Sequence, residues 1–327
     1  MNKTRIAEGS IAFLGILCFI LDGKTVLTGA QAGIDLCIKA VIPSLFPFFL
    51  LSIILSNTLS GRALPILRPL TKSIGMPQGT ESILLIGFLG GYPTGAQAVA
   101  SVYHSDYISK PDADRLLSFC NNAGPAFLFG MVGPMFSEGS APFLLWGIHI
   151  VSALLVAALI PGCYADAVSP VSSKKIKITQ AMHTSLVIMA TVCGWVIAFR
   201  VILAFLDHWF LWMFPTIART AVYAVLELSN GCFSLGSIPD QDLRFVLCSG
   251  MLAWGGLCVA MQTAAVTEGL SMAAYLKGKL LQTLFSLLLS ASVVLNIGIP
   301  VTAFLAFFVI LLRKAQKRGS NPALIGI

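Results

Sequence analysis

Charge is what this sequence most lacks. Its 327 residues hold 21 Lys+Arg and 14 Asp+Glu, 11% of the chain, where an ordinary soluble domain carries about 25%. Hydrophobic residues make up 57%. A water-soluble fold of this size would leave too much apolar surface facing water, so the solvent of much of the chain is a bilayer. The same scarcity excludes disorder and a nucleic-acid-binding module, and no nucleic acid is expected as a partner. The net charge of +7 is not one basic patch. Basic residues fall in short clusters between apolar runs, at Lys3/Arg5, Arg62/Arg68/Lys72, Lys174/Lys175 and Arg313/Lys314/Lys317, a pattern that reports orientation across a membrane.

The sequence is equally poor in enzyme signatures. There is no C-x-x-C among its eight cysteines, which lie mostly in apolar segments and read as small packing residues. Four scattered histidines without paired carboxylates give no metal site. H-E-x-x-H, G-x-S-x-G and a G-x-G-x-x-G after a strand are all missing. Gly23-Lys24-Thr25 mimics the end of a P-loop, but the upstream glycine that the motif requires is Cys18. No catalysis, cofactor or metal is expected. The alternative of an intramembrane enzyme lacks a nucleophile or metal constellation.

Long apolar runs are what the chain does have, at residues 11–21, 40–60, 83–102, 116–132, 143–163, 183–206, 218–235, 245–266, 280–297 and 299–312. Several are long enough for about 30 Å of hydrocarbon at about 1.5 Å per residue. The first, behind Lys3 and Arg5, has no convincing cleavage site after it and is expected to be a span or anchor. Two runs are interrupted, by Gly90-Gly91-Tyr92-Pro93-Thr94-Gly95 and by Glu227-Leu228-Ser229-Asn230-Gly231. Irregular backbone at membrane depth is tolerated only where protein or a wet cavity covers it, so both read as re-entrant. Threading the chain with these two re-entrant and the others crossing puts every basic cluster, Lys277 and Lys279 included, on one side, with both termini cytoplasmic.

S-x-P-D-x-D-x5-C occurs twice, at Ser109–Cys120 and Ser237–Cys248, 128 residues apart. A generic helix start explains Ser, Pro and the first Asp. The context, an interrupted run before each copy and a full run after, points instead to an internal repeat. Three crossings per copy would invert the second. The expected architecture is an all-α polytopic membrane protein of two inverted repeats with broken or re-entrant helices, as in carriers. Its segments are an N-terminal span (1–30), a first repeat (31–170), a second, inverted repeat (171–312) and a basic cytoplasmic tail (313–327).

Two constellations are candidates for a substrate site. The first joins Tyr92, Pro93, Thr94 and Gly95 to Asn121, Asn122 and Gly124. Pro93 removes a backbone donor and Gly95 permits unusual dihedrals, so half-helix ends become available for anionic groups, and the two asparagines add amides. Close helix packing through the G-x-x-x-G of Gly91 and Gly95 is the competing reading of the glycines. The second is Glu227 with Ser229, Asn230 and Gly231. A carboxyl at mid-membrane depth costs about 2.5–3.5 kcal/mol and faces a cavity or a partner, which suits proton or cation coupling. An ion pair with Arg219 or Arg200 is the structural alternative. Gln262 is a further candidate ligand at membrane depth. Glu268 reads as interfacial, Arg115 as a surface charge at a helix end, and His149 and His183 as helix contacts.

Gly90-Gly91-Tyr92-Pro93-Thr94-Gly95-Ala96, Asp114-Arg115-Leu116-Leu117 and Asn121-Asn122-Ala123-Gly124-Pro125 resemble the sporulation integral membrane proteins of the YlbJ type. That group shares the nucleoside-recognition (Gate) domain with ferrous-iron transporters and is related to concentrative nucleoside carriers. Glu227-x-Ser229-Asn230-Gly231 is similar to the family's second-half motif, and the resemblance runs over roughly residues 40–312. It implies a secondary carrier for a small anionic solute, acting in spore formation, with dipicolinate as leading candidate and the membrane around the forespore as its place. Partners would be the solute and the lipid bilayer, with a homo-oligomer compatible. A non-transporting scaffold for sporulation proteins and a carrier of nucleosides or another solute are the alternatives.

Overall fold

A computed structural model describes residues 3–59, 64–162 and 177–319. Arg62, Cys163, Lys174, Lys175 and the tail beyond residue 319 lie outside the described residues, as do the side chains of Lys3, Arg5, Lys314, Lys317 and Arg318. Among the described residues there are helices and no strand. Four helices among the described residues are long and apolar enough to cross a membrane: Gly23–Leu59, Ala141–Leu159, Ile178–Trp209 and Gln241–Val266. Large apolar side chains such as Leu51, Phe143, Leu186, Leu284 and Phe304 point outward, the exterior of a protein whose solvent is lipid. The chain is an all-α polytopic membrane protein.

After α1 (Lys3–Leu21), the polar stretch at Asp22 and Lys24 is only a junction. Asp22 caps α2 (Gly23–Leu36) by accepting from the Thr25 N–H at 3.2 Å. Through a π turn at Cys37–Val41, α2 continues directly into α3 (Ile42–Leu59). The turn precedes Pro43, which has no N–H to return to the Lys39 carbonyl. The Ser44 hydroxyl donates to the Ala40 carbonyl at 2.7 Å beside it. The run at 40–60 is thus the second part of a 37-residue helix, about 55 Å long.

Behind the short α4 (Arg68–Ser73), helices α5 (Glu81–Leu89) and α6 (Thr94–His104) pack on each other as a hairpin. Its tip is Gly90–Pro93, where Gly91 takes φ 76° and only glycine fits without strain. Next comes α7 (Lys110–Cys120). It breaks at Asn121, whose backbone is extended, and resumes at α8 (Pro125–Phe127), which widens into a second π turn at Leu128–Val132. Then α9 (Ala141–Leu159) completes the first set.

The same order recurs. The long α10 (Ile178–Trp209) precedes a hairpin of α11 (Thr216–Leu226) and α12 (Leu228–Ser234), folded at Glu227. A Cβ on Gly231 would stand 2.7 Å from the Ala224 Cα, so glycine is what lets the arms close. A broken helix follows, α13 (Gln241–Trp254) and α14 (Gly256–Val266), then α15 (Met272–Val294) and α16 (Gly298–Gly319). The second break was not anticipated in the run at 245–266. Gly255 and Gly256 are both left-handed, φ 80° and 81°, and two such residues in succession end a helix.

Contacts give the directions. Gly29 lies on Val201 and Ala204, Gly33 on Ile197 and Arg200, and the Cys37 thiol on the Cys193 carbonyl, so α2–α3 and α10 are antiparallel. Asp114 meets Ser271, Asn121 meets Lys279 and Asn122 meets Gln282, so α7 and α15 run parallel. Asp242 and Phe245 wall a cavity with Val293 and Val294, and Ser249 pairs with Ser286 at 2.8 Å, so α13 opposes α15. The two broken helices therefore run in opposite directions, and their hairpins enter from opposite ends. One end gathers Arg68, Lys72, Lys110 and Arg313, where Arg313 donates to the Ser73 carbonyl and Lys110 to the Gly269 carbonyl. At the other, Ser137 bonds Gln241 near Glu138, Asp240 and Asp242.

The two S-x-P-D-x-D copies do not play equal parts. Ser109 caps α7, whereas α13 is capped by Asp240. Cys120 is the last residue of α7, while Cys248 lies inside α13.

Candidate functional site

Both hairpin tips and both helix breaks meet at one place. A Cβ on Gly124 would stand 2.8 Å from the Gly91 Cα, and one on Gly256 3.2 Å from the Glu227 nitrogen. The Tyr92 hydroxyl donates to the Leu252 carbonyl at 3.1 Å, beside the second break. Between them lies a cavity of about 40 Å³, walled by Gly91, Tyr92, Gly124, Glu227, Ser229 and Gln262, with apolar cover from Val41, Leu45, Val192 and Val196. That is room for about three waters, at about 10–15 Å³ each. The space is smaller than an aromatic dicarboxylate.

Of the residues singled out in the sequence, Tyr92, Gly124, Glu227, Ser229 and Gln262 reach this cavity. Pro93, Thr94 and Gly95 form the turn behind it. The Thr94 hydroxyl donates to the Gly91 carbonyl at 2.8 Å, and Gly95 lies flat on the end of α7, where a Cβ would come 2.1 Å from the Cys120 oxygen. Packing thus accounts for Gly95. Asn121 and Asn122 are fully buried and bonded to protein. Asn121 accepts from Ala96 N–H at 3.2 Å and donates to Thr263 at 2.8 Å. Asn122 donates to the Phe119 carbonyl at 2.7 Å and accepts from Gln282 at 2.9 Å. Gln262 donates to the Cys258 sulfur at 3.3 Å.

Glu227 is a helix cap. Its carboxylate accepts from Ser229 N–H at 2.9 Å, and from the Asn230 N–H and side-chain amide, each at 2.6 Å. These donors and the positive end of α12 compensate a carboxylate that is 2% exposed. The ion pair with Arg219 or Arg200 does not occur: both turn to Asp207, at 3.4 and 3.8 Å, where Tyr223 also donates.

Three residues were misjudged in the sequence or overlooked. Arg115 is buried rather than a surface charge. It donates to the carbonyls of Ile74, Gly75, Ala157 and Ile160, tying the start of α7 to the end of α9. Lys279, counted there among the basic residues of one membrane face, is 1% exposed and reaches the first break. Gln282 lies one turn on. The signal was a polar stripe on α15: Tyr275, Lys279, Gln282, Ser286 and Ser290 recur at helical spacing and are all buried. His149, also buried, accepts from Ala123 N–H at 3.1 Å, while Glu268 and His183 are exposed. Among the described residues no group of three His, Cys, Asp or Glu could hold a metal.

No family model matches the chain, and no solved structure matches it. It is similar to the sporulation integral membrane protein YlbJ of Bacillus subtilis (strain 168), 32% identical over 169 residues, which is 48% of this chain and 40% of that protein. The similarity supports the YlbJ-type assignment. The match spans less than half the length of that relative.

Proposed function

We propose that this protein is a secondary carrier for a small anionic solute, acting in spore formation, with dipicolinate the first solute to test. The observation that carries the reading is the meeting of two hairpin tips and two broken helices, approaching from opposite ends, at one small cavity. Irregular backbone buried in protein at membrane depth is how carriers hold a solute between two access routes. An anion is favoured by the positive charge that Lys279 would place behind Tyr92, one residue back from the cavity wall, where it has no carboxylate partner among the described residues. Glu227 is the candidate for proton or cation coupling. The role in sporulation rests on the name of the relative and on the residues shared with its family. The basic end would face the cytoplasm with both termini, in the cell membrane or the membrane around the forespore. The reading assigns no catalysis.

The test is flux in proteoliposomes across a panel of dipicolinate, other aromatic and aliphatic carboxylates, and nucleosides. Uptake of one anion class above empty vesicles is the expected result. No flux with any member would refute the carrier. The small cavity and internally bonded amides favour one second reading, a scaffold that recruits spore-assembly proteins. At equal amounts of folded protein, a scaffold would keep its function in sporulating cells with Glu227→Gln and lose it on surface-loop changes; a carrier would do the reverse.

A further inference from the structure

Lys279 stands where a free cation would be expected to bind. Its Nζ donates to the Asn121 carbonyl at 2.9 Å and to the Gln282 amide oxygen at 2.7 Å, and lies 5.1 Å from the centre of the Tyr92 ring. Each is a cation ligand for a stated reason. The Asn121 carbonyl follows the last residue of α7, at the negative end of the helix, where a carbonyl has no helical partner. Gln282 cannot turn its oxygen away, because its nitrogen is committed to Asn122 at 2.9 Å and to the His149 carbonyl at 3.3 Å. The Tyr92 ring presents its negative face and is fixed by its hydroxyl on Leu252. All three ligands are neutral, and no carboxylate pairs with Lys279 among the described residues. Neutral oxygens and a ring face match a single positive charge; divalent ions demand carboxylates.

We propose that the Asn121 carbonyl, the Gln282 amide oxygen and the Tyr92 ring form a monovalent-cation site, which the protein fills with its own Lys279 ammonium in place of a free ion. The tethered cation joins the end of α7, the face of α15 and the tip of the first hairpin. It does so without any dependence on sodium or potassium. The inference goes beyond the carrier reading and is tested by stability alone, so either can fail without the other.

The experiment is thermal unfolding of the full chain in detergent, at constant ionic strength. Exchange of sodium or potassium for N-methylglucamine is expected to leave the wild type unchanged. Lys279→Ala removes a fragment equivalent to n-propylammonium. That ion is expected to raise the variant's melting temperature saturably, by about 2–4 °C, and to leave the wild type unmoved. 1-Propanol, of the same shape without charge, is expected to do nothing. Rescue by 1-propanol as well as by the ammonium, or by neither, would overturn the proposal. So would saturable stabilisation of the wild type by sodium or potassium, which needs no variant to fold. Lys279→Met keeps the apolar stem and strands both oxygens. A melting temperature equal to the wild type's would also refute the site.

Discussion

Replacing Glu227 by glutamine separates its role as a helix cap from the coupling role proposed for it. The carboxylate takes three hydrogen bonds, from Ser229 N–H at 2.9 Å and from two Asn230 donors at 2.6 Å. Glutamine offers one oxygen. In its better orientation that oxygen keeps both Asn230 donors, and the new NH2 group is set against the Ser229 N–H. One charge-assisted bond is lost, worth about 1.5–3 kcal/mol, and the two that remain weaken because the acceptor is now neutral. The interaction with the helix dipole, about 0.3–1 kcal/mol, goes too. Relief of the desolvation cost of a buried charge offsets part of this, so the expected loss is about 1–2 kcal/mol, read as a drop of a few degrees in melting temperature in detergent. Limited proteolysis would localise the loosening to α11–α12. Should the variant melt with the wild type, the capping argument is refuted. Altered pH or cation dependence of flux in such a stable variant would then belong to coupling alone.

The close approaches make graded predictions. Gly95→Ala puts a methyl 2.1 Å from the Cys120 oxygen, a backbone contact that cannot yield as a side chain does; a loss above about 2 kcal/mol is expected, and a melting temperature equal to the wild type's would refute the packing. Gly147→Ala is the control within α9, because nothing lies within 4 Å of its Cβ position; it should stabilise by about 0.5–1 kcal/mol through helix propensity. Arg115→Met strands four carbonyls at the junction of α7 with α9. A loss of about 3–5 kcal/mol is expected in denaturant unfolding, near that of breaking a buried ionic contact, and a neutral result would place Arg115 back at the surface.

What the sequence made legible was the breaks that carry unusual residues. Gly90–Gly95 and Glu227–Gly231 stand out because proline, paired glycines and a carboxyl have no ordinary place in an apolar helix, and both fold as hairpins. The break at Gly255–Gly256 was missed because glycine is common in membrane helices, and only φ tells a packing glycine from a left-handed one. Lys279 was missed for another reason. In Lys277-Gly278-Lys279 it looks like a charge at a membrane face, which holds for exposed Lys277. Gly278 lets α15 press against the Ser118 carbonyl, a Cβ there falling 2.1 Å from that oxygen. That close approach carries the next residue inside. Arg115 fails in the same way, since its destination is four carbonyls distant in sequence.

The two tips are not equally fastened, and the difference bears on which would move if the carrier reading holds and the cavity opens. The first hairpin is bonded across to its surroundings by Tyr92 to Leu252, by Ala96 to Asn121 and by the Lys279 ammonium over its ring. Behind it, Asn121 is itself anchored to Thr263. The second tip spends its polar groups on itself, Glu227 on the start of its own α12. Among the described residues, one hydrogen bond crosses near the tip, from the Trp254 indole to the Val225 carbonyl at 3.2 Å; further down α11, Tyr223 and Arg219 hold Asp207 of α10, and at the tip itself Gly256 meets the Glu227 nitrogen by van der Waals contact. Parting van der Waals surfaces to admit water or a solute costs less than stranding buried donors and acceptors. A widening that keeps the buried bonds intact would therefore move the tip of α11–α12 about its Asp207 contacts with α10, with Glu227 travelling inside its own cap, while the first hairpin stays with α7 and α15.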